Sequence, residues 1–193
     1  MKRRVFIIHG WGGYPEEGCF PWLKQKLEAA GFEVFNPAMP EPLAPKIETW
    51  VPFLSQQIGQ INEKTFLVGH SVGAQTVLRY IQTLPPNEKL GGVALLAPWT
   101  HLTDEAFEDD EDPILAKPWL ETPIDWIKIK AHTDNFVAIF SDNDPLVPLS
   151  DSEIFEANLG AKIIIEHDQG HFSGSDGITE LPSLLNSVLE MSK

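Results

Sequence analysis

The apolar positions of this chain fall into two alternating kinds of run. Residues 4–8, 33–35, 65–68, 92–96, 136–140 and 162–166 form short runs rich in β-branched and aromatic residues, continuous rather than alternating with polar ones. A strand covered on both faces has this pattern, because neither side of its pleat meets water. Between these runs the apolar residues return at helical spacing. Phe20, Leu23, Leu27 and Ala30 share one face, with Gly31 as the stop. Ile47, Trp50, Val51, Leu54, Ile58 and Ile61 make a second stripe, and Ala74, Val77, Leu78 and Ile81 a third. Ser150 is placed to cap a short helix through Asn158 that Gly160 ends, and Pro182 opens a last helix carrying Leu184, Leu185, Val188 and Leu189. Alternating strands and helices predict an α/β fold. The expected form is an abbreviated, doubly wound parallel sheet of about six strands, with helices on both faces and right-handed crossovers.

One segment departs from the alternation. Residues 98–130 hold Pro98, Pro113, Pro118 and Pro123 together with Trp99, Trp119 and Trp126, and do not read as one crossover helix. An insertion at the carboxyl ends of the strands is expected to form a small lid or pocket wall. The 193 residues otherwise suffice for one core and form a single domain, 1–193, without repeat or linker.

Charge changes the picture by exclusion. A net charge of −14 opposes nucleic-acid binding, which needs a basic patch. Residues 104–112 carry seven acids in nine positions and no base, the pattern of a solvated loop; a subsite for cations is the alternative. Behind Lys2-Arg3-Arg4, four apolar residues are too few for a signal core or a membrane span. The lone Cys19 excludes an internal disulfide and fits a reducing compartment, so a cytoplasmic protein with no membrane association is expected.

The candidate chemistry begins at Gly69-His70-Ser71-Val72-Gly73, between the 65–68 run and the helical stripe from Ala74. Strand, G-x-S-x-G, helix is the setting of a nucleophile elbow, in which a strained turn lifts the serine hydroxyl above the sheet edge at a helix N-terminus. A serine hydroxyl needs a base, and the base a carboxylate that fixes its tautomer. Ser141-Asp142-Asn143-Asp144-Pro145 follows the 136–140 strand, and His167-Asp168-Gln169-Gly170-His171-Phe172 follows the 162–166 strand, which supplies the order Ser, Asp, His. Asp144 is favoured as the acid because Asp-Pro-x-Val-Pro fixes its loop; Asp142 is then a turn former. His171, after Gly170, is favoured as the base over His167, which stays close to the strand end. The backbone N–H of Val72 is one expected oxyanion donor, and that of Trp11, in Gly10-Trp11-Gly12-Gly13, the other. His9 is expected to hydrogen-bond the glycine loop, and His70 is a neighbour of the nucleophile. Trp11, Phe172, Trp99 and Trp119 are candidates for an apolar substrate pocket, against core packing as the alternative.

These motifs, with Trp22-Leu23 in the first helix and Trp50 in the second, resemble the α/β-hydrolase superfamily over nearly the full length. More narrowly, the chain is similar to the small single-domain serine hydrolases of the retinoblastoma-binding-protein type. That resemblance implies Ser71, Asp144 and His171 as a triad without metal or cofactor, acting on small esters or amides. The expected function is hydrolysis of a small ester, thioester or amide. Acyl transfer with the same triad, or a non-catalytic interaction module with a protein partner, are the alternatives.

Overall fold

The computed structural model describes residues 2–107 and 112–193; part of the acidic run, 108–111, lies outside the described residues. Six strands, β1 (Arg4–Ile8), β2 (Glu33–Phe35), β3 (Thr65–His70), β4 (Gly92–Leu96), β5 (Phe136–Ser141) and β6 (Lys162–Glu166), form one sheet. It is parallel throughout, in the order β2-β1-β3-β4-β5-β6. Five helices match the expected stripes: α1 (Phe20–Ala29), α2 (Ile47–Ile58), α3 (Val72–Ile81), α6 (Asp151–Leu159) and α7 (Pro182–Met191). Two more, α4 (Asp112–Glu121) and α5 (Trp126–Lys130), lie in the 98–130 segment after a short 3-10 turn at Asp104–Ala106.

The pleat sorts the strand side chains between two cores. Phe6, Ile8, Leu67, Val93, Leu95, Ala138 and Phe140 point to one face, where they meet α2, α3 and α6 through Trp50, Leu54, Val77, Leu78 and Phe155. Val5, Ile7, Phe66, Val68, Ala94, Leu96, Val137 and Ile139 point to the other, against Phe20, Leu23 and Leu27 of α1 and Leu184 and Val188 of α7. Both faces being dry is why the strands lack polar alternation. The chain leaves β1 for β2 on one side and enters β3 on the other, so the loops after β1 and β3 diverge at this switch point and leave a crevice above the strand ends.

Several boundaries differ from the periodicity. Strand β3 runs on through His70, because Gly69 and His70 still pair with Leu95 and Leu96 of β4. Helix α2 stops at Ile58, with Gly59 in the positive-φ region, so Ile61 reaches the core from a loop. Ser150 occupies the residue before α6 but its side chain makes no capping hydrogen bond, and its backbone is already helical. Gly160, left-handed at φ 66°, ends that helix as expected.

The 98–130 segment is built into the flank of the domain. Trp119 of α4 is buried edge-on to Trp50 of α2, and its indole N–H donates to the Pro45 carbonyl at 2.9 Å. Arg79 of α3, itself buried, donates to the Trp119 and Thr122 carbonyls at the end of α4. Trp126 of α5 packs edge-on against Phe155 of α6. Together these cover α3, all ten of whose residues are buried.

Candidate active site

Ser71 is the residue between β3 and α3, and its backbone adopts φ 53°, ψ −121°. That conformation is sterically costly for any residue with a Cβ, and the surroundings hold it there. Its amide donates to the Leu96 carbonyl at 2.9 Å and its carbonyl accepts from the Ala74 amide at 2.9 Å. The flanking glycines permit the turn. A Cβ on Gly73 would lie 2.5 Å from the His9 carbonyl oxygen and closer still to that of Ile8; one on Gly69 would lie 2.7 Å from the Ala74 Cα. Gly73→Ala is therefore expected to destabilise the fold by about 2–4 kcal/mol, read as a lowered Tm in thermal melts, since backbone atoms on both sides must move apart.

The acid and base loops stand at the neighbouring strand ends. His171 Nδ1 is 2.8 Å from Asp144 Oδ2, and both side chains are nearly buried, 11% and 3% exposed. The other oxygen of Asp144 accepts from the Leu146 and Val147 amides at 2.8 and 3.1 Å. This local cap, made possible by the prolines that shape the loop, turns the carboxylate inward. The His171 ring is 5.0 Å from that of His70, and its carbonyl oxygen is 2.8 Å from His70 Nε2, which places the base against the elbow. Ser71 and the Asp144–His171 pair thus stand beyond the carboxyl ends of β3, β5 and β6, with no hydrogen bond between the Ser71 hydroxyl and His171 among the described residues.

Asp142 behaves differently from a local turn former. Its carboxylate reaches across to the base loop, accepting from the Asp168 amide at 3.0 Å and pairing with His167 Nδ1 at 2.5 Å. Ser141 and Asn143 add bonds to Gln169 and Gly170, so four consecutive residues of one loop are stitched to the other. The hydrogen bond to Asp142 raises the His167 pKa, and the same bond lowers that of Asp142. The pair stabilises the fold below the ordinary His range, and that contribution fades as pH rises through the raised His167 value. His167→Gln is expected to remove this slope between about pH 6 and 8 in stability measurements; a slope identical to wild type would contradict the pairing.

The glycine loop after β1 flanks the nucleophile. A Cβ on Gly10 would sit 3.4 Å from the Ser71 Cβ. His9, buried, donates Nδ1–H to the Gly10 carbonyl at 2.9 Å while its Nε2 accepts from the Met39 amide at 3.0 Å; burial lowers its pKa, in keeping with this neutral form. Gly12 N–H donates to Pro42 and Gly13 N–H to Gly10, whereas the Trp11 N–H has no partner among the described residues. The Trp11 indole N–H donates to the Leu43 carbonyl at 3.1 Å, pinning the ring beside the loop. Val72 opens α3, where a backbone N–H lacks an intrahelical acceptor.

Of the other pocket candidates, Trp99, Trp119 and Phe172 are 2%, 1% and 2% exposed and belong to the two cores. Trp119 also walls a cavity of about 140 Å³ with Gln75, Thr100 and Trp126, one turn along α3 from Ser71. A broader groove of about 1350 Å³ opens at the opposite edge, beside Lys64, Lys89 and His132, away from this constellation. Cys19 is buried, and burial pushes its thiol up to about 12, which makes it inert as a nucleophile. Among the described residues no group of three or more His, Cys, Asp or Glu is placed to hold a metal ion, and no helix is long and apolar enough to cross a membrane.

Known proteins resemble this chain over nearly its full length. A family model described as serine hydrolase matches residues 5–190. YdeN of Bacillus subtilis is 31% identical over 182 residues, spanning 94% of this chain and 92% of YdeN. The serine hydrolase RBBP9 of Rattus norvegicus is 28% identical over 190 residues, 96% of this chain and 95% of RBBP9. The crystal structure of the B. subtilis ydeN gene product superposes with a TM-score of 0.89 at 29% identity, covering 99% of this chain and 98% of that one. Est1E from Butyrivibrio proteoclasticus, solved with ferulic acid, gives a TM-score of 0.73 over 97% of this chain and 88% of its own; at 14% identity it shares the fold.

Proposed function

The chain belongs to the serine hydrolase family, and we propose that it cleaves a small ester, thioester or amide through an acyl-enzyme on Ser71. The observation that carries this is the 2.8 Å bond between His171 Nδ1 and the buried Asp144 carboxylate, beside a serine held at φ 53°. With Nδ1–H given to Asp144, Nε2 is the ring nitrogen left to accept a proton. Ser71 Oγ attacks the substrate carbonyl as His171 Nε2 takes the hydroxyl proton. The negative charge that develops on the carbonyl oxygen accepts from the N–H groups of Val72 and Trp11, fixed donors aimed before the reaction begins. Collapse of the tetrahedral intermediate breaks the bond to the alcohol, thiol or amine, which leaves with the proton from His171. Water, deprotonated by His171, then attacks the acyl carbonyl, and Ser71 departs with its proton restored while the carboxylic acid is released.

Trp11, pinned beside the glycine loop by its bond to the Leu43 carbonyl, is placed to offer the substrate an indole face. The charged side chains Asp142 and Asp144 are committed to the base loop, so a neutral acyl group suits the site best. The test is a panel of p-nitrophenyl esters of graded acyl length, with matching thioesters and anilides. Steady turnover of short esters, with acid and alcohol released in equal amounts, is expected. A folded protein that leaves the entire panel untouched overturns the proposal.

A further inference from the structure

His70 is buried, 4% exposed, between three elements of the site, yet the mechanism above gives it no role. Its Nε2 lies 2.8 Å from the His171 carbonyl oxygen. A carbonyl only accepts, so Nε2 carries the hydrogen and Nδ1 is the bare nitrogen. Consistent with that assignment, Nδ1 is buried with no partner among the described residues; a Cβ on Gly10 would lie 3.1 Å from it. The Phe20 ring packs edge-on at 6.0 Å. The imidazole is thus wedged between α1, the glycine loop and the base loop.

The base loop needs such a wedge. Asp168 (φ 54°), Gly170 (φ 55°) and Phe172 (φ 58°) are all left-handed, and two of them carry a Cβ. A strained backbone persists only where its surroundings over-determine it. His171 is held at three points: its amide donates to Asp176 Oδ2 at 3.1 Å, its ring to Asp144 Oδ2 at 2.8 Å, and its carbonyl accepts from His70. The same Asp176 oxygen takes the Ser173 amide at 2.9 Å. Of the three anchors, only His70 belongs to the elbow itself, next to Ser71 in sequence.

We propose that His70 is a positioning residue: its Nε2–H, given to the His171 carbonyl, locks the base loop to the elbow and so sets the His171 imidazole against Ser71. The inference rests on the hydrolase mechanism above. Burial pushes the His70 pKa down to about 3, with the His171 charge acting in the same direction; the bond to the His171 carbonyl opposes the lowering, His9 adds to it, and Asp176 opposes it. His70 accordingly stays neutral while His171 gains and loses its proton, and a second imidazolium never forms beside the first.

Two measurements test this. In the wild-type protein, ¹H–¹⁵N imidazole correlations are expected to show His70 protonated at Nε2, bare at Nδ1 and untitrated between about pH 5 and 9. A His70 that titrates in that range, or carries its hydrogen on Nδ1, overturns the proposal without any variant or activity. In the second, His70→Leu removes the donor at similar volume, and His70→Gln retains an N–H at similar reach. His70→Leu is expected to lower kcat at least about tenfold with KM within about twofold. His70→Gln is expected to return kcat to within about threefold of wild type. An unchanged kcat in a folded His70→Leu variant, or a His70→Gln variant as impaired as His70→Leu, overturns the inference. If wild type turns over no ester at all, the hydrolase proposal fails, while the imidazole spectra still decide the state of His70.

Discussion

Ser71→Ala is expected to lower kcat on any ester the protein turns over by about 10⁴-fold or more, with the fold intact. The alanine removes one oxygen from a residue that is 9% exposed, at a turn whose backbone bonds to Leu96 and Ala74 do not involve the side chain. Stability should therefore hold or rise slightly, because the hydroxyl makes no hydrogen bond among the described residues and the strain at φ 53° is common to both residues. The combination of lost turnover with a retained or raised Tm distinguishes loss of a nucleophile from loss of structure. Residual activity within tenfold of wild type would place the acyl transfer elsewhere.

Asp144→Asn carries the second largest effect, about 10⁴-fold in kcat, and the geometry says why. One carboxylate oxygen of Asp144 is committed to the Leu146 and Val147 amides. An asparagine keeps its carbonyl oxygen on those amides and so turns its NH₂ toward His171 Nδ1. An NH₂ facing Nδ1 forces the opposite tautomer, with hydrogen on Nε2, the atom that must accept the Ser71 proton. Binding should suffer little, so KM is expected to change by no more than about threefold. Asp142→Asn is the contrast: its partners are the exposed His167 and the Asp168 amide, and kcat is expected to stay within about threefold. Equal losses in the two variants would contradict the assignment of the acid.

Much of the fold and of the proposed site is legible because each candidate residue is tied to a local pattern. The parallel sheet announces itself in continuous apolar runs, and Gly69 and Gly73 mark a turn whose neighbouring backbones leave no room for a Cβ. The order of Ser71, Asp144 and His171 follows from three strand ends. Other features depend on contacts distant in sequence. The pairing of Asp142 with His167 crosses 25 residues, and that of His70 with His171 crosses 101, with no periodicity to signal either. Helix α4 leaves no helical signature in the sequence, because Pro113 and Pro118 interrupt its pattern and only Ala116 and Trp119 are buried. Helix α5 spans five residues, fewer than two turns, and is fixed by Asp125 capping Lys128 N–H. Ser150 has the residue type of a cap but makes no capping bond, for a related reason. Asp151, the next residue, sends its carboxylate to Thr100 and His101, so tertiary bonds rather than a local cap place the start of α6.

The central claim, a serine made nucleophilic by its neighbours, is tested most directly by reaction with a fluorophosphonate followed by peptide mass spectrometry. A single adduct on Ser71 is predicted for the wild type, absent in Ser71→Ala and formed at least about a hundredfold more slowly in His171→Ala. A folded wild-type protein that stays unmodified, or an adduct on any residue other than Ser71, would contradict it.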